Sequence, residues 1–128
     1  MKTASTAATI LLIDDEIELR ATVSRLLQRA GYEVVTAANG AEALRTARFV
    51  RANLVITDIL MPEKEGLETI AELRREFPEL PVIAVSGGGI VDPSSYLALA
   101  MKLGADRALE KPFVFQQLLA TVRELLDE

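Results

Sequence analysis

The chain has 128 residues, 50% of them hydrophobic and 26% charged, and its net charge is -5. That size fits one ordinary domain able to bury roughly two-thirds of its unfolded surface, and the balance excludes disorder. Excess acid argues against a direct nucleic-acid partner, and the absence of cysteine and histidine excludes disulfides, thiolate and imidazole metal sites, histidine triads and phosphohistidine carriage.

Met1 to Ile13 holds one lysine and a short apolar run. Asp14 and Asp15 follow where a leader peptide would need small residues, so the run reads as a strand, Ile10-Leu11-Leu12-Ile13. Leu19, Val23, Leu26, Leu27 and Ala30 then fall at helical spacing, closed by Gly31 as a left-handed cap. Val34 and Val35 mark a second strand, and Asn39 with Glu42 forms a capping arrangement ahead of Ala43, Leu44, Ala47 and Val50. Leu54-Val55-Ile56-Thr57-Asp58-Ile59-Leu60-Met61-Pro62 is an apolar run ending in one carboxylate and turning at a proline, the pattern of a strand buried on both faces.

Leu67, Ile70, Leu73 and Phe77 line a third helix that must stop before Pro78. Pro81 to Ser86 is a fourth strand, broken by Gly87, Gly88 and Gly89. Asp92-Pro93 reads as an N-cap and first helical residue, leading a helix with Leu97, Ala100 and Leu103 inward and Gly104 at its end. Arg107-Ala108-Leu109 is a minimal fifth strand. Leu118, Leu119, Val122, Leu125 and Leu126 make a last helix that the pattern starts near Pro112. Five strand-helix units in strict alternation predict a doubly wound α/β fold, a parallel sheet with helices on both faces. No stretch approaches the roughly twenty uncharged residues that span a bilayer, so a soluble, cytoplasmic domain without a membrane partner is expected.

In such a sheet all strand carboxyl ends lie on one edge, so residues just past each strand converge. They are Asp14, Asp15 and Glu16 after the first strand, Asp58 after the third, Ser86 after the fourth and Lys111 past the fifth. Grouped carboxylates repel unless a cation sits among them, and Mg²⁺, which binds one or two carboxylates with waters and phosphate oxygens, is the natural choice. The plainer reading, an aspartate capping the first helix, explains one of Asp14 and Asp15 and leaves the other without a purpose. Lys111 fits an ion pair or a phosphoryl contact, and Ser86 fits a donor to an anion. Together these groups form a site for moving a phosphoryl group onto Asp58.

The residues Asp14-Asp15-Glu16, Asp58 with Met61-Pro62 and Gly66 behind it, Ser86-Gly87, Gly104-Ala105-Asp106 and Lys111-Pro112-Phe113 resemble the receiver domain of bacterial two-component response regulators over essentially the whole chain. The resemblance implies a (βα)5 flavodoxin-like three-layer sandwich with strand order 2-1-3-4-5, and one receiver domain over residues 1–128 with no output domain in it. It implies that Asp58 accepts phosphate from a phosphohistidine on a sensor histidine kinase or histidine phosphotransfer protein. Asp15 would then bind Mg²⁺ directly, with Asp14 assisting, Asp58 itself a ligand and the backbone carbonyl of Leu60 completing the set. Lys111 would pair with the phosphoryl group, and Ser86 would move to hydrogen-bond it. Output would pass to a protein target through the fourth helix, fifth strand and fifth helix, from a monomer or a weak phosphorylation-dependent dimer. Such a domain catalyses its own phosphorylation and slow dephosphorylation rather than acting as a conventional enzyme.

Three positions depart from the pattern. Ala108 stands where the family often carries an aromatic residue that couples site to surface, so coupling here would run through backbone and loop movement. The loop from Ser86 to Pro93 is long and holds three consecutive glycines, which reads as a harmless insertion, with Gly87 leaving room for a phosphoryl group. Leu60 is apolar where a polar side chain would help orient water, which predicts slow loss of phosphate. A phosphatase of the haloacid-dehalogenase type would need an aspartate two positions after the first, and Asp14-Asp15-Glu16-Ile17 lacks that spacing. Asp14-Asp15 is also electrostatically wrong for a pyrophosphate. The competitor left standing is a receiver-like interaction module that works without phosphorylation.

Overall fold

The computed structural model describes residues 7–59, 65–86 and 93–128. β1 (Thr9–Ile13), α1 (Ile17–Arg29), β2 (Glu33–Ala37), α2 (Gly40–Phe49), β3 (Leu54–Asp58), α3 (Glu65–Glu76), β4 (Val82–Ser86), α4 (Pro93–Leu103), β5 (Arg107–Glu110) and α5 (Phe115–Leu125) alternate along the chain. The strands form one sheet in the order β2-β1-β3-β4-β5, and every neighbouring pair is parallel. This is the doubly wound fold expected from the alternation, with the expected strand order.

Strand periodicity divides the core into two layers. Leu11, Ile13, Val55, Val82 and Ala84 point to the face covered by α2, α3 and α4, where Ala43, Ile70, Leu73 and Ala100 meet them. Ile10, Leu12, Leu54, Ile56, Ile83 and Val85 point to the other face, covered by α1 and α5 through Leu27, Leu118 and Val122. β3 and β4 are buried at every position, the mark of central parallel strands, while the edge strand β2 is exposed or half-buried up to Ala37.

Helix boundaries follow the local chemistry. Asn39 Oδ1 accepts the Glu42 N–H, and the Glu42 carboxylate reaches back to the Ala38 N–H, a reciprocal arrangement close to a capping box. Gly31 and Gly104 have φ of 105° and 127°, the left-handed conformation that ends α1 and α4. Pro93 is the first residue of α4; Asp92, its expected cap, lies outside the described residues. α5 begins at Phe115 with Val114 as its N-cap, later than the start near Pro112 that the sequence suggested. The reason is the Lys111 N–H, which donates to the Ser86 carbonyl at 2.7 Å. Strand-like pairing thus continues past β5, and the helix can start only after the chain has turned.

Candidate phosphoacceptor site

The register of the sheet assembles the site. Ile13 of β1 pairs with Thr57 of β3, so the next residues, Asp14 and Asp58, leave the sheet side by side. Asp58 pairs with Val85 of β4, and Ser86 with Glu110 of β5, which puts Ser86 one step beyond Asp58 and Lys111 next to it. Four of the side chains expected at the carboxyl edge are therefore brought together there. The other two, Asp15 and Glu16, are exposed at the rim.

Asp14 and Asp58 are 6% and 5% exposed, an unusual degree of burial for two neighbouring carboxylates. Lys111 Nζ lies 3.0 Å from Asp58 Oδ2 and is itself largely covered, so Asp58 is charge-paired. Asp14 is held differently. Its N–H donates to the Ala37 carbonyl at 3.1 Å, its Oδ1 accepts the Glu16 N–H at 2.9 Å, and its carbonyl accepts Arg20 Nη1 at 2.8 Å. Burial raises the Asp14 carboxyl from an ordinary aspartate value to about 6. The Glu16 N–H and Lys111 pull it down, and the negative charges of Asp58 and Asp15 push it further up.

The helix-cap reading of Asp14 and Asp15 does not hold in its simple form. Glu16 occupies the N-cap of α1 without a side-chain capping bond, and Asp14 closes only a local turn onto Glu16. The Ser86 hydroxyl is wholly buried, and among the described residues Ser86 Oγ has no hydrogen-bond partner. Such a group marks a place where a donor awaits an acceptor. Leu60, Met61, Pro62 and the Gly87 to Gly89 loop lie outside the described residues, so the expected Leu60 carbonyl ligand cannot be placed among them.

Two features needed three-dimensional contacts to appear. Gly66 opens α3 directly against the chain leaving β3: a Cβ there would stand 2.5 Å from Ile59 Cα and 2.9 Å from the Asp58 carbonyl oxygen. Only a bare backbone fits. Arg20 was not singled out in the sequence, although an arginine one turn into the helix after two aspartates was the available signal. Beneath the site, between α1 and α5, lies a largely apolar cavity of about 470 Å³ with Leu12, Ile56 and Val85 as part of its floor and Leu19, Val23 and Phe113 in its walls. Ile17, the first residue of α1, and Val114, the N-cap of α5, are 71% and 64% exposed.

The residues present fit a hard divalent cation. Among the described residues no three carboxylate, imidazole or thiolate side chains form a ready-made cage, and Mg²⁺ requires none, since it keeps several waters and takes one or two carboxylates. Asp14, forced toward its neutral form by burial and by Asp58, is the kind of group a cation would relieve.

A doubly wound parallel sheet in this strand order, with Asp14, Asp58, Ser86 and Lys111 gathered at its carboxyl edge, has the build of a receiver-type signalling domain. The chain belongs to the response regulator receiver domain family, whose model matches residues 10–123. It is 37% identical over 126 residues to the transcriptional regulatory protein PrrA of Mycobacterium bovis, covering 98% of this chain and 53% of that protein; it thus spans about half the length of such curated relatives. Among solved structures, a CheY-like response regulator receiver domain protein from Methanospirillum hungatei superposes with a TM-score of 0.85 at 30% identity, covering 95% of both chains. The response regulator TrrA of Thermotoga maritima, solved in complex with Mg(2+)-BeF, gives 0.81 at 35% identity, covering 92% of this chain and 98% of that one.

Proposed function

We propose that this domain is a phosphorelay receiver that takes a phosphoryl group on Asp58 from a phosphohistidine of a sensor kinase or phosphotransfer protein. The observation that carries this reading is the buried Asp58, 3.0 Å from Lys111 Nζ and beside the buried Asp14 at the end of the sheet. An Asp58 carboxylate oxygen attacks phosphorus as the P–N bond to the donor breaks, and the departing imidazole takes a proton from solvent. Lys111 shifts its ammonium onto a phosphoryl oxygen, and Ser86 Oγ donates to another. Asp14 and Asp15 would hold Mg²⁺, whose role is to neutralise the oxygens of the incoming group. The TrrA structure with Mg(2+)-BeF supports that assignment by likeness.

Exposed apolar side chains at Ile17 and Val114, at the starts of α1 and α5, suit docking of the donor protein. Tyr96, Leu99 and Met101 are partly exposed on α4, which supports an output surface on the α4, β5 and α5 face. Ala108 pairs with Ala84 and packs toward the α3 and α4 layer, so coupling to that surface would pass through backbone and loop shifts. Equal affinity of a downstream partner for both forms would count against it. Among the described residues no helix is long and apolar enough to cross a membrane.

The reading is tested by incubating the protein with Mg²⁺ and acetyl phosphate and measuring intact mass. One added phosphoryl group, absent in Asp58→Asn, supports the relay; no adduct would favour an interaction module that works without phosphorylation.

A further inference from the structure

We propose that Arg20 is a positioning residue for metal capture, fixing the carboxylate pair Asp14-Asp15 through the backbone rather than through its charge. The inference rests on the reading of those two aspartates as the Mg²⁺ site. It starts from how poorly apolar packing anchors the loop between β1 and α1. α1 has one fully buried side chain, Leu27, near its far end, while Leu19 and Val23 line the cavity of about 470 Å³ and Val23 is only partly buried against the sheet. The first turn of α1 also lacks a side-chain cap. Position at that end of the helix is therefore left to polar ties.

Three such ties meet at Asp14, and they are not equivalent. Its N–H bond to the Ala37 carbonyl joins the strand end to β2, and its Oδ1 bond to the Glu16 N–H is internal to the turn. The bond from Arg20 Nη1 to the Asp14 carbonyl, at 2.8 Å, alone among these three spans the loop and clamps the helix to the strand end. It holds Asp15, the next residue, between two fixed points. Asp15 is exposed and has no packing of its own to aim it, so its carboxylate is only as well placed as that short loop. Partners that orient a ligand without touching the ion have large effects on metal affinity.

Charge and positioning predict opposite signs. A guanidinium close to a cation site repels the cation, so removing it should tighten Mg²⁺ binding if charge were its only effect. Losing the clamp should weaken binding. Arg20→Met keeps the apolar stem and removes donor and charge together; Arg20→Lys keeps a donor and the charge.

Calorimetric titration of the full chain with Mg²⁺, well below the melting temperature of each variant, reads the difference. Arg20→Met is expected to bind about three- to tenfold more weakly than the wild type, with Arg20→Lys in between. Arg74→Ala, at the opposite edge of the sheet, controls for general loosening and should bind like the wild type. Binding by Arg20→Met as tight as the wild type or tighter overturns the inference, as does an equal loss in Arg74→Ala or no recovery in Arg20→Lys. Should Arg20→Met not fold, Arg20→Gln, whose shorter neutral side chain does not span the loop, carries the test, and affinity as tight as the wild type or tighter there counts against the clamp. Saturable binding by the wild type with an unaffected Arg20→Met defeats the clamp alone, whereas no saturable binding by the wild type defeats the metal reading and the clamp together.

Discussion

Lys111 and Asp58 are coupled twice, by the 3.0 Å ion pair between their side chains and through β4, whose Ser86 carbonyl takes the Lys111 N–H at 2.7 Å and whose Val85 carbonyl takes the Ile59 N–H just after Asp58. The side-chain pair is largely withdrawn from water, so breaking it removes the cation from beside a buried carboxylate. Lys111→Met should lower stability at neutral pH by about 2 kcal/mol, below the usual cost for a fully buried pair because the lysine keeps some solvent. Lys111→Met with Asp58→Asn should cost less than the two single changes added together. Urea unfolding of the four proteins checks this, and additive losses would mean the pair does not interact.

The clustering of Asp14, Asp58, Ser86 and Lys111 was legible in the sequence because the carboxyl edge of a doubly wound sheet is a rule of topology: once β1, β3, β4 and β5 are placed, these four have one place to meet. Asn39 with Glu42 and the end of α1 at Gly31 were legible for a local reason, since caps are written within a few residues. The start of α5 was not. Pro112 favours a helix start in isolation, and the hydrogen bond from Lys111 to β4 that overrides it is long-range. Arg20 and Gly66 were obscure in their roles for the same reason, because what they touch is a backbone carbonyl and a backbone Cα on other elements, which no periodicity encodes.

The raised Asp14 carboxyl makes stability depend on pH, and the Mg²⁺ binding proposed for it should follow the same titration. Its folded value is about 6, above the unfolded value near 4, so between the two the native state holds more protons. The stabilisation is complete below about pH 4 and is lost as pH rises through about 6, a penalty on the order of 2 to 3 kcal/mol at neutral pH. Asp14→Asn should remove that penalty, giving a metal-free protein more stable at pH 7 and flatter with pH. A cation competes with the same proton, so Mg²⁺ affinity should climb up to about pH 6 and level off above it. Melting curves and titrations across that range test both, and an unchanged pH profile in Asp14→Asn would refute the assignment.

Gly66→Ala sets two effects against each other. Alanine favours a helix over glycine by about 1 kcal/mol, yet its Cβ would enter the space of Ile59 Cα at 2.5 Å and the Asp58 carbonyl oxygen at 2.9 Å, both backbone atoms that cannot swing aside. The clash should win, with a net loss of about 2 kcal/mol and slower uptake of phosphate as Asp58 is displaced. A gain in melting temperature with unaltered uptake from acetyl phosphate would show that α3 can shift without dragging β3.

Arg74 shows what the same sheet does at its other end. From α3 it donates through Nε and Nη2 to the Gly104 carbonyl, at 3.1 and 2.8 Å, and through Nη2 to Asp106 Oδ2 at 2.8 Å. Asp106 Oδ2 also accepts the Val82 N–H at the start of β4. The left-handed Gly104 completes the arrangement, since a Cβ there would meet the Arg74 side chain at 2.9 Å. Gly104-Ala105-Asp106 is thus a structural latch joining α3, the end of α4 and the entry to β4 and β5, far from the carboxyl edge. Arg74→Ala should cost about 1 to 2 kcal/mol, from lost hydrogen bonds to groups that are only partly exposed. Phosphate uptake on Asp58 should be unchanged at a temperature where the protein stays folded, because the latch lies at the amino end of β4, whereas Asp14 and Asp58 sit at the carboxyl ends of β1 and β3. A matching loss of uptake would mean that strain at the amino edge of β4 reaches Ser86 along the strand.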